Sequence, residues 1–481
     1  VIRSSHPRRL TAGLAASALA LTALGAATAN AAPADASSAA APGPLMNYVV
    51  NTKASAGHVK KVERAVTAAG GTVVQSYSQL GVVIAQSTNA AFKTDVRSGR
   101  YGRDVQSVGA TRTAPVSEGP VGSAAKAPAQ AGTKSVGEAD AAPVPDPREG
   151  EQWDMVQIKA DQAHAVTDGS RQVLVGINDS GVDDTHPDLA PNFDKANSVS
   201  CEDNGVPDTT EGAWRPTSSS HGTHVAGTVA AARNGIGIVG VAPNVRIASV
   251  KVVNDDGFIY PEYAICGFVW AAQHHMDITN HSYFIDPYMF WCDDNGDQGA
   301  VQEAVRRAVD YATGRGVLSV AAAGNSNYDL ANKTTDSTSP NDTTPVTRPI
   351  NNDCLDMPTE LPGVITVAST DRGGAKSSFS NFGLAKIDVA APGRAILSTL
   401  PNNRYGTSSG TSMASPHVAG VAALMKSTYP WWGPRQLEAA LLRQADDTAC
   451  PVVPDARCTG TTENNSFFGE GNVDALDAVQ R

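Results

Sequence analysis

The sequence predicts an α/β protein, a mostly parallel sheet with helices on both faces, preceded by a small α+β domain. Three observations predict this. From residue 151 onward, apolar strand-like runs alternate with helix-like runs, the pattern of a parallel sheet buried on both faces. Residues 45–110 carry a separate, shorter succession of strand and helix patterns. Between them, residues 114–147 turn to Ala, Pro, Gly and Ser without periodicity, the composition of a linker. The 481 residues allow about three units at roughly 150 residues each.

The first 31 residues read as a secretory signal peptide. Arg3, Arg8 and Arg9 precede a Leu- and Ala-rich stretch from Leu10 to about Ala27, and Ala29-Asn30-Ala31 supplies an A-x-A cleavage site. The apolar run is shorter than the roughly 20 residues a membrane span needs, so export with no membrane segment after cleavage is expected. Residues 45–52 then read as a strand and residues 55–69 as an amphipathic helix with Val59, Val62 and Val66 on one face. Strands at 72–77 and 80–86, a helix near 89–98 and a strand near 104–110 follow. This β-α-β-β-α-β order is ferredoxin-like.

In the large domain, QVLVGIN, RIASVKVV, DITNHSYF and VLSVAAAG are the strand-like runs; HGTHVAGTVAAA, PEYAICGFVWAAQHH and QEAVRRAVDYATGRG are the helix-like ones, and GEGNVDALDAVQR ends on a short helix. Ligand sites in such sheets lie at the carboxyl ends of the strands, so polar residues there carry the functional signal.

Charge narrows the function further. Residues 1–120 hold 12 Lys+Arg against 5 Asp+Glu, whereas the formal charge of the whole chain is −11, which leaves −18 for residues 121–481. A basic face for phosphate is scarce there, so no nucleic-acid partner is expected. All six cysteines, Cys201, Cys266, Cys292, Cys354, Cys450 and Cys458, lie in the large domain with no C-x-x-C pair. That spacing disfavours zinc, and export with an even count favours up to three disulfides. Cys450 with Cys458 closes a short loop and is the one pairing expected; Cys266, in an apolar helix-like stretch, is open to being a buried free thiol.

Three polar positions stand out. Asp179 follows the apolar run 173–177, where a buried carboxylate can orient an imidazole. His221 opens HGTHVAGTVAA behind a Ser run that can cap the helix, a setting suited to a general base. His221 with His224 at i and i+3 is the metal-binding alternative, though no HExxH is present. Ser412 in GTSMASPHVAG precedes a helix, where unpaired N–H groups and the helix dipole favour a developing oxyanion. Singly, each is matched by a turn, cap or core residue.

Together the motifs resemble those of the subtilisin-like serine proteases, the subtilases: INDSGVD with DTHPDL, HGTHVAG followed by GIVGVAP, AAAGN, and GTSMASPHVAG preceded by SNFG and AAPG, across about residues 150–430. The chain order Asp179…His221…Ser412 is that of subtilisin, opposed to the orders of chymotrypsin and the α/β-hydrolases. The resemblance implies Ser412 as nucleophile, His221 as general base and acid, Asp179 as its orienting partner and Asn325 of AAAGN as an oxyanion donor. It implies that protein or peptide substrates pair with Ser282, Tyr283 and Phe284 and with Ala323 and Gly324. Two residues depart from the pattern. Phe284 stands where Gly is common, which is expected to narrow the specificity pocket, and Asn178 stands where an aliphatic residue usually precedes the catalytic Asp.

The same resemblance implies a structural calcium site and no organic cofactor. Asp188 and Asn234, with backbone of Ala232, Ile236 and Ile238, match its ligands, and Arg233 need not exclude the ion if it points to solvent. It also makes residues 32–113 a propeptide, with its core at 45–113, that assists folding and then inhibits its own enzyme. Residues 114–148 become a linker with the maturation site, and residues 149–481 a catalytic domain. The stretches 189–221, 282–325 and 325–362 look long, and each contains a cysteine. The expectation is a secreted, extracellular, monomeric endopeptidase made as a zymogen, with a narrow-specificity processing protease and a noncatalytic binding protein on the same fold as alternatives.

Overall fold

The computed structural model describes residues 43–118 and 145–480. The signal peptide read over 1–31 and most of the linker read over 114–148 lie outside them. The small domain comprises β1 (Met46–Asn51), α1 (Ala56–Ala68), β2 (Gly71–Tyr77), β3 (Val82–Ser87), α2 (Phe92–Asp95) and β4 (Ser107–Ala110). Its antiparallel sheet has the order β2-β3-β1-β4. Ser55 caps α1 by accepting from His58 N, and Val59, Val62 and Val66 are buried on the expected face. Helix α2 is shorter than the 89–98 expected: Phe92 and Val96 are its buried apolar anchors, and Gly99, at φ +70°, turns the chain away.

In the large domain α3 (Trp153–Gln157) and α4 (Ala160–Ala163) lead into β5 (Leu174–Asp179), β6 (Val199–Ser200), α5 (His221–Ala230) and β7 (Arg246–Lys251). Next come α6 (Pro261–Gln273), β8 (Ile278–His281), α7 (Gly296–Gly314) and β9 (Leu318–Ala322). The short strands β10 (Thr335–Asp336) and β11 (Arg348–Pro349) pair with each other before β12 (Val364–Thr370) and β13 (Val389–Pro392). A hairpin, β14 (Ile396–Leu400) with β15 (Arg404–Ser408), precedes α8 (Thr411–Thr428), α9 (Pro434–Gln444) and α10 (Ala475–Gln480).

Seven strands form one parallel sheet in the order β13-β12-β9-β8-β5-β7-β6. Helices α5, α8, α9 and α10 bury the apolar residues of one face, α6 and α7 those of the other. Strands β7 and β8 flank β5 on opposite sides, so the strand order reverses at β5. The crevice at its carboxyl end is where such sheets bind ligands, and Asp179 is the last residue of β5.

The sheet of the small domain packs on the outer side of α7. Asn51 Nδ2 donates to Ala300 O at 2.7 Å, Arg307 donates to Thr52 O at 2.6 Å, and Lys93 pairs with Asp297 at 2.7 Å. Gly109 admits this approach: a Cβ there would stand 2.2 Å from Asp297 O.

Cys450 bonds Cys458 as expected. Cys266 is disulfide-bonded to Cys201, not a free thiol, and Cys292 bonds Cys354. The first bond fastens the long 189–221 stretch to α6, and the second joins the other two long stretches to each other.

Candidate active site

The carboxyl edge of the sheet gathers the three singled-out positions. Gly222 lets α5 approach β5: a Cβ there would lie 2.5 Å from Gly181 O and 3.1 Å from Asp179 Cβ. His221, the first residue of α5, thereby places Nδ1 at 2.8 and 2.9 Å from the two carboxylate oxygens of Asp179. A carboxylate accepts, so Nδ1 carries the proton and Nε2 is left as an acceptor. Burial works to lower the His221 pKa, but the charge of Asp179 and its hydrogen bond outweigh this and raise it above the ordinary value. Asp179 is buried, with Oδ1 also accepting from Ser180 N at 2.7 Å. The cap differs from the expectation: Ser220 makes no side-chain cap bond, and Ser219 Oγ accepts from His221 N at 3.2 Å.

Ser412 is the second residue of α8, so its N–H has no acceptor within the helix. Its Oγ donates to Ser282 O at 3.2 Å, and Ser282 Oγ donates back to Ser412 O at 2.9 Å. This reciprocal pair fixes the segment 280–284 to the start of α8, aided by Ser415 Oγ donating to Asn280 Oδ1 at 2.7 Å. Asn325 Oδ1 accepts from Thr411 N at 2.8 Å and Thr411 Oγ1 at 3.0 Å. Those contacts fix which end of the amide is oxygen, leaving Nδ2 as the donor for a ligand. Ala322 and Gly324 line the opposite wall, with Gly324 at φ +97°, whereas the expected Ala323 is fully buried behind it and outside the lining.

Asn381 was missed as a site residue. It is buried, accepts from Ser326 N and Tyr328 N at 3.0 and 2.9 Å, and donates to Ala323 O at 2.8 Å. It thus sets the turn that presents Asn325. Its signal was available in SNFG, which carried no assigned role.

A cavity of about 390 Å³ adjoins Ser412, with Ser282, Tyr283, Phe284 and Gly324 among its lining. Phe284 stands in its wall. Tyr283 Oη and His281 Nδ1 are 2.9 Å apart. Asn178, on β5, is buried with its amide against Gly267 of α6. His224, the other member of the metal alternative, turns away: its Nε2 is 3.0 Å from Ile396 O, and burial lowers its pKa to about 4.

The loop 232–238 meets Asp188 about β5 and α5. Asp188 Oδ2 accepts from Ile238 N at 3.1 Å and from Tyr405 Oη at 2.9 Å, whereas Oδ1 is buried without a partner. Asn234 holds its own turn, Oδ1 accepting from Ile236 N at 3.1 Å, and Ala232 N donates to Asp188 O at 2.7 Å. Asp146 accepts from Gly235 N at 2.7 Å; burial raises the pKa of both carboxyls, and Asp188 adds to the effect on Asp146. An orphaned carboxylate oxygen of Asp188 with a second acid, Asp146, near it is oxygen chemistry that fits calcium, while Asn234 Oδ1 is turned to Ile236 N. Arg233 does not point to solvent but pairs with Glu149 at 2.6 Å and Asp168 at 3.4 Å.

A hydroxyl at a helix N-terminus, an imidazole paired with a buried carboxylate, and free donors beside them, all at the carboxyl edge of a parallel sheet, define the serine hydrolase class. Residues 170–471 match the Subtilase family, and the chain belongs to it as a subtilisin-like serine endopeptidase acting on proteins or peptides. It is 36% identical over 325 residues to subtilisin of Bacillus pumilus, covering 67% of this chain and 97% of that one. It is 34% identical over 325 residues to subtilisin E of Bacillus subtilis strain 168, covering 67% of this chain and 70% of that one. The fold matches the epidermin leader peptide processing serine protease of Staphylococcus aureus with a TM-score of 0.66 at 22% identity, over 90% of this chain and 98% of that one. No helix among the described residues is long and apolar enough to cross a membrane.

Proposed function

We propose that the chain is a secreted, self-processing zymogen whose catalytic group is Asp179, His221 and Ser412. The observation that carries this reading is the His221–Asp179 pair at 2.8 and 2.9 Å at the same sheet edge as Ser412. Ser412 Oγ attacks the scissile carbonyl while His221 Nε2 takes its proton. The oxyanion is held by Asn325 Nδ2 and the N–H of Ser412, each such donor being worth about 3–4 kcal/mol of barrier. His221 then protonates the leaving amine, and water, deprotonated by the same imidazole, releases the acyl group from Ser412.

Residues 43–118 act in this reading as the inhibitory propeptide. Thr113 N and Ala114 N donate to Asp342 at 2.8 and 3.0 Å, and Val116 N donates to Leu45 O at 2.9 Å. On the far side, Asp146 and Arg148 are already bonded to the 232–238 loop. The maturation cut falls in this reading within the linker 114–148, most of which lies outside the described residues. A calcium ion held by Asp188 and Asn234, with backbone of Ala232, Ile236 and Ile238, supplies structural charge neutralisation away from the reacting atoms. The mature enzyme acts as a monomer.

Purified wild type and Ser412→Ala test the reading together. Wild type is expected to lose its N-terminal segment and cleave peptides. The variant is expected to keep the segment and lose at least 10⁴-fold in kcat. A variant that processes itself normally in isolation removes Ser412 as the nucleophile.

A further inference from the structure

The cavity beside Ser412 holds two buried acids, and they are not equivalent. Asp286 is fully engaged, accepting from Ile259 N at 2.5 Å and from Asn341 Nδ2 at 2.6 Å. Asp356 also lines the cavity and is 3% exposed, yet its Oδ1 has no hydrogen-bond partner. The acid lies directly behind the wall that carries Asn325: a Cβ built on Gly324 would stand 3.6 Å from Asp356 Oδ2.

Among the described residues no cation forms an ion pair with this carboxylate. Lys333, which acts on it electrostatically, is committed to Glu360 at 2.7 Å, and Lys386 reaches the same Glu360 oxygen at 2.9 Å. Glu360 in turn accepts from the backbone N of Asp356 at 2.8 Å, placing a second negative charge nearby. A buried carboxylate left without a partner is costly. The cost is relieved when a ligand brings a charge-assisted donor into the cavity. Burial and the charge of Glu360 raise the Asp356 pKa well above the ordinary carboxyl value, so a cationic side chain is the ligand that would draw out its carboxylate form, while an acidic one would meet the charge of Glu360.

We propose that this cavity is the primary specificity pocket for lysine or arginine immediately before the scissile bond, with Asp356 as the residue that receives the side-chain cation. The proposal rests on the endopeptidase reading above and names the substrate class of that site. The aromatic wall of Phe284 suits it, since a long unbranched stem can lie along a ring while its charged end passes deeper.

The test is a panel of peptides identical except for Arg, Lys, Leu, Phe or Glu before the scissile bond, hydrolysed by the mature wild-type enzyme. Arg and Lys are expected to exceed Leu and Phe at least 100-fold in kcat/KM, with Glu slowest. Asp356→Asn is expected to shrink the Arg-to-Leu ratio at least 30-fold. Should that variant fail to fold, benzamidine as an amidinium probe decides on wild type: it is expected to slow organophosphate labelling of Ser412 competitively. Leu or Phe cleaved as fast as Arg overturns the proposal while leaving the endopeptidase intact. An Arg preference that survives Asp356→Asn overturns the assignment to Asp356. If no peptide is cleaved and organophosphate does not react, the endopeptidase reading falls and this proposal with it.

Discussion

In the proposed mechanism His221 accepts the proton of Ser412 as neutral imidazole, and Asp179 stabilises the protonated form. Raising that pKa moves the acid limb of activity upward, because activity appears as the imidazole loses its proton with rising pH. We predict that kcat/KM climbs through an ionisation above the ordinary histidine value of about 6.5; a midpoint below that value in a pH–rate profile contradicts the Asp179 coupling. At this scale the motif residues Asp179, His221, Asn325 and Ser412 were legible, since each sits in a long local pattern at a strand end or helix start. Asp356 was not. It stands on irregular chain between Cys354 and Pro358, and its meaning comes from a vacant hydrogen-bonding oxygen and from neighbours already paired elsewhere, which no spacing encodes.

Elements were read from periodicity with similar strengths and gaps. The strands of the parallel sheet are continuous apolar runs, so β5, β7, β8 and β9 fall where expected, whereas of the helices over them α7 has a side-chain cap, from Asn295, and α5, α6 and α8 have none. The pairing of Cys201 with Cys266 and of Cys292 with Cys354 depends on segments 65 and 62 residues apart, which six cysteines in sequence leave open. The loop 232–238 is the element whose chemistry is least complete by itself, with Asp188 Oδ1 orphaned. If calcium completes it, free ion at a hundred times its Kd stabilises the fold by about 2.7 kcal/mol. EDTA is then expected to lower the melting temperature of wild type, and Asn234→Ala to lessen that difference. Identical melting curves with calcium and with EDTA rule the ion out.

For the whole molecule, the small domain is joined to the large one by a buried polar network. The guanidinium of Arg112 pairs with Glu262, both side chains fully buried, with Glu118 as a second partner at 2.9 Å and the Tyr260 ring 3.7 Å away. Asn47 Nδ2 donates to the same Glu262 at 2.6 Å and to Asn204 at 3.1 Å. Removing one member of a buried pair typically costs 3–5 kcal/mol. In the full chain, Glu262→Ala is therefore expected to weaken retention of the processed N-terminal segment by roughly 10²-fold or more, seen as its loss from the catalytic domain on gel filtration. Retention as strong as wild type contradicts an energetic role for the pair. The opposite signs of charge on the two parts are visible in the sequence, but this contact is not. All of these inferences depend on Ser412 being the residue that reacts. Peptide mapping after organophosphate treatment of the mature enzyme reads this directly: a single adduct on the Ser412 peptide, with activity lost in proportion, is the expected result, and full inactivation with the adduct on another residue, or full activity with Ser412 modified, contradicts it.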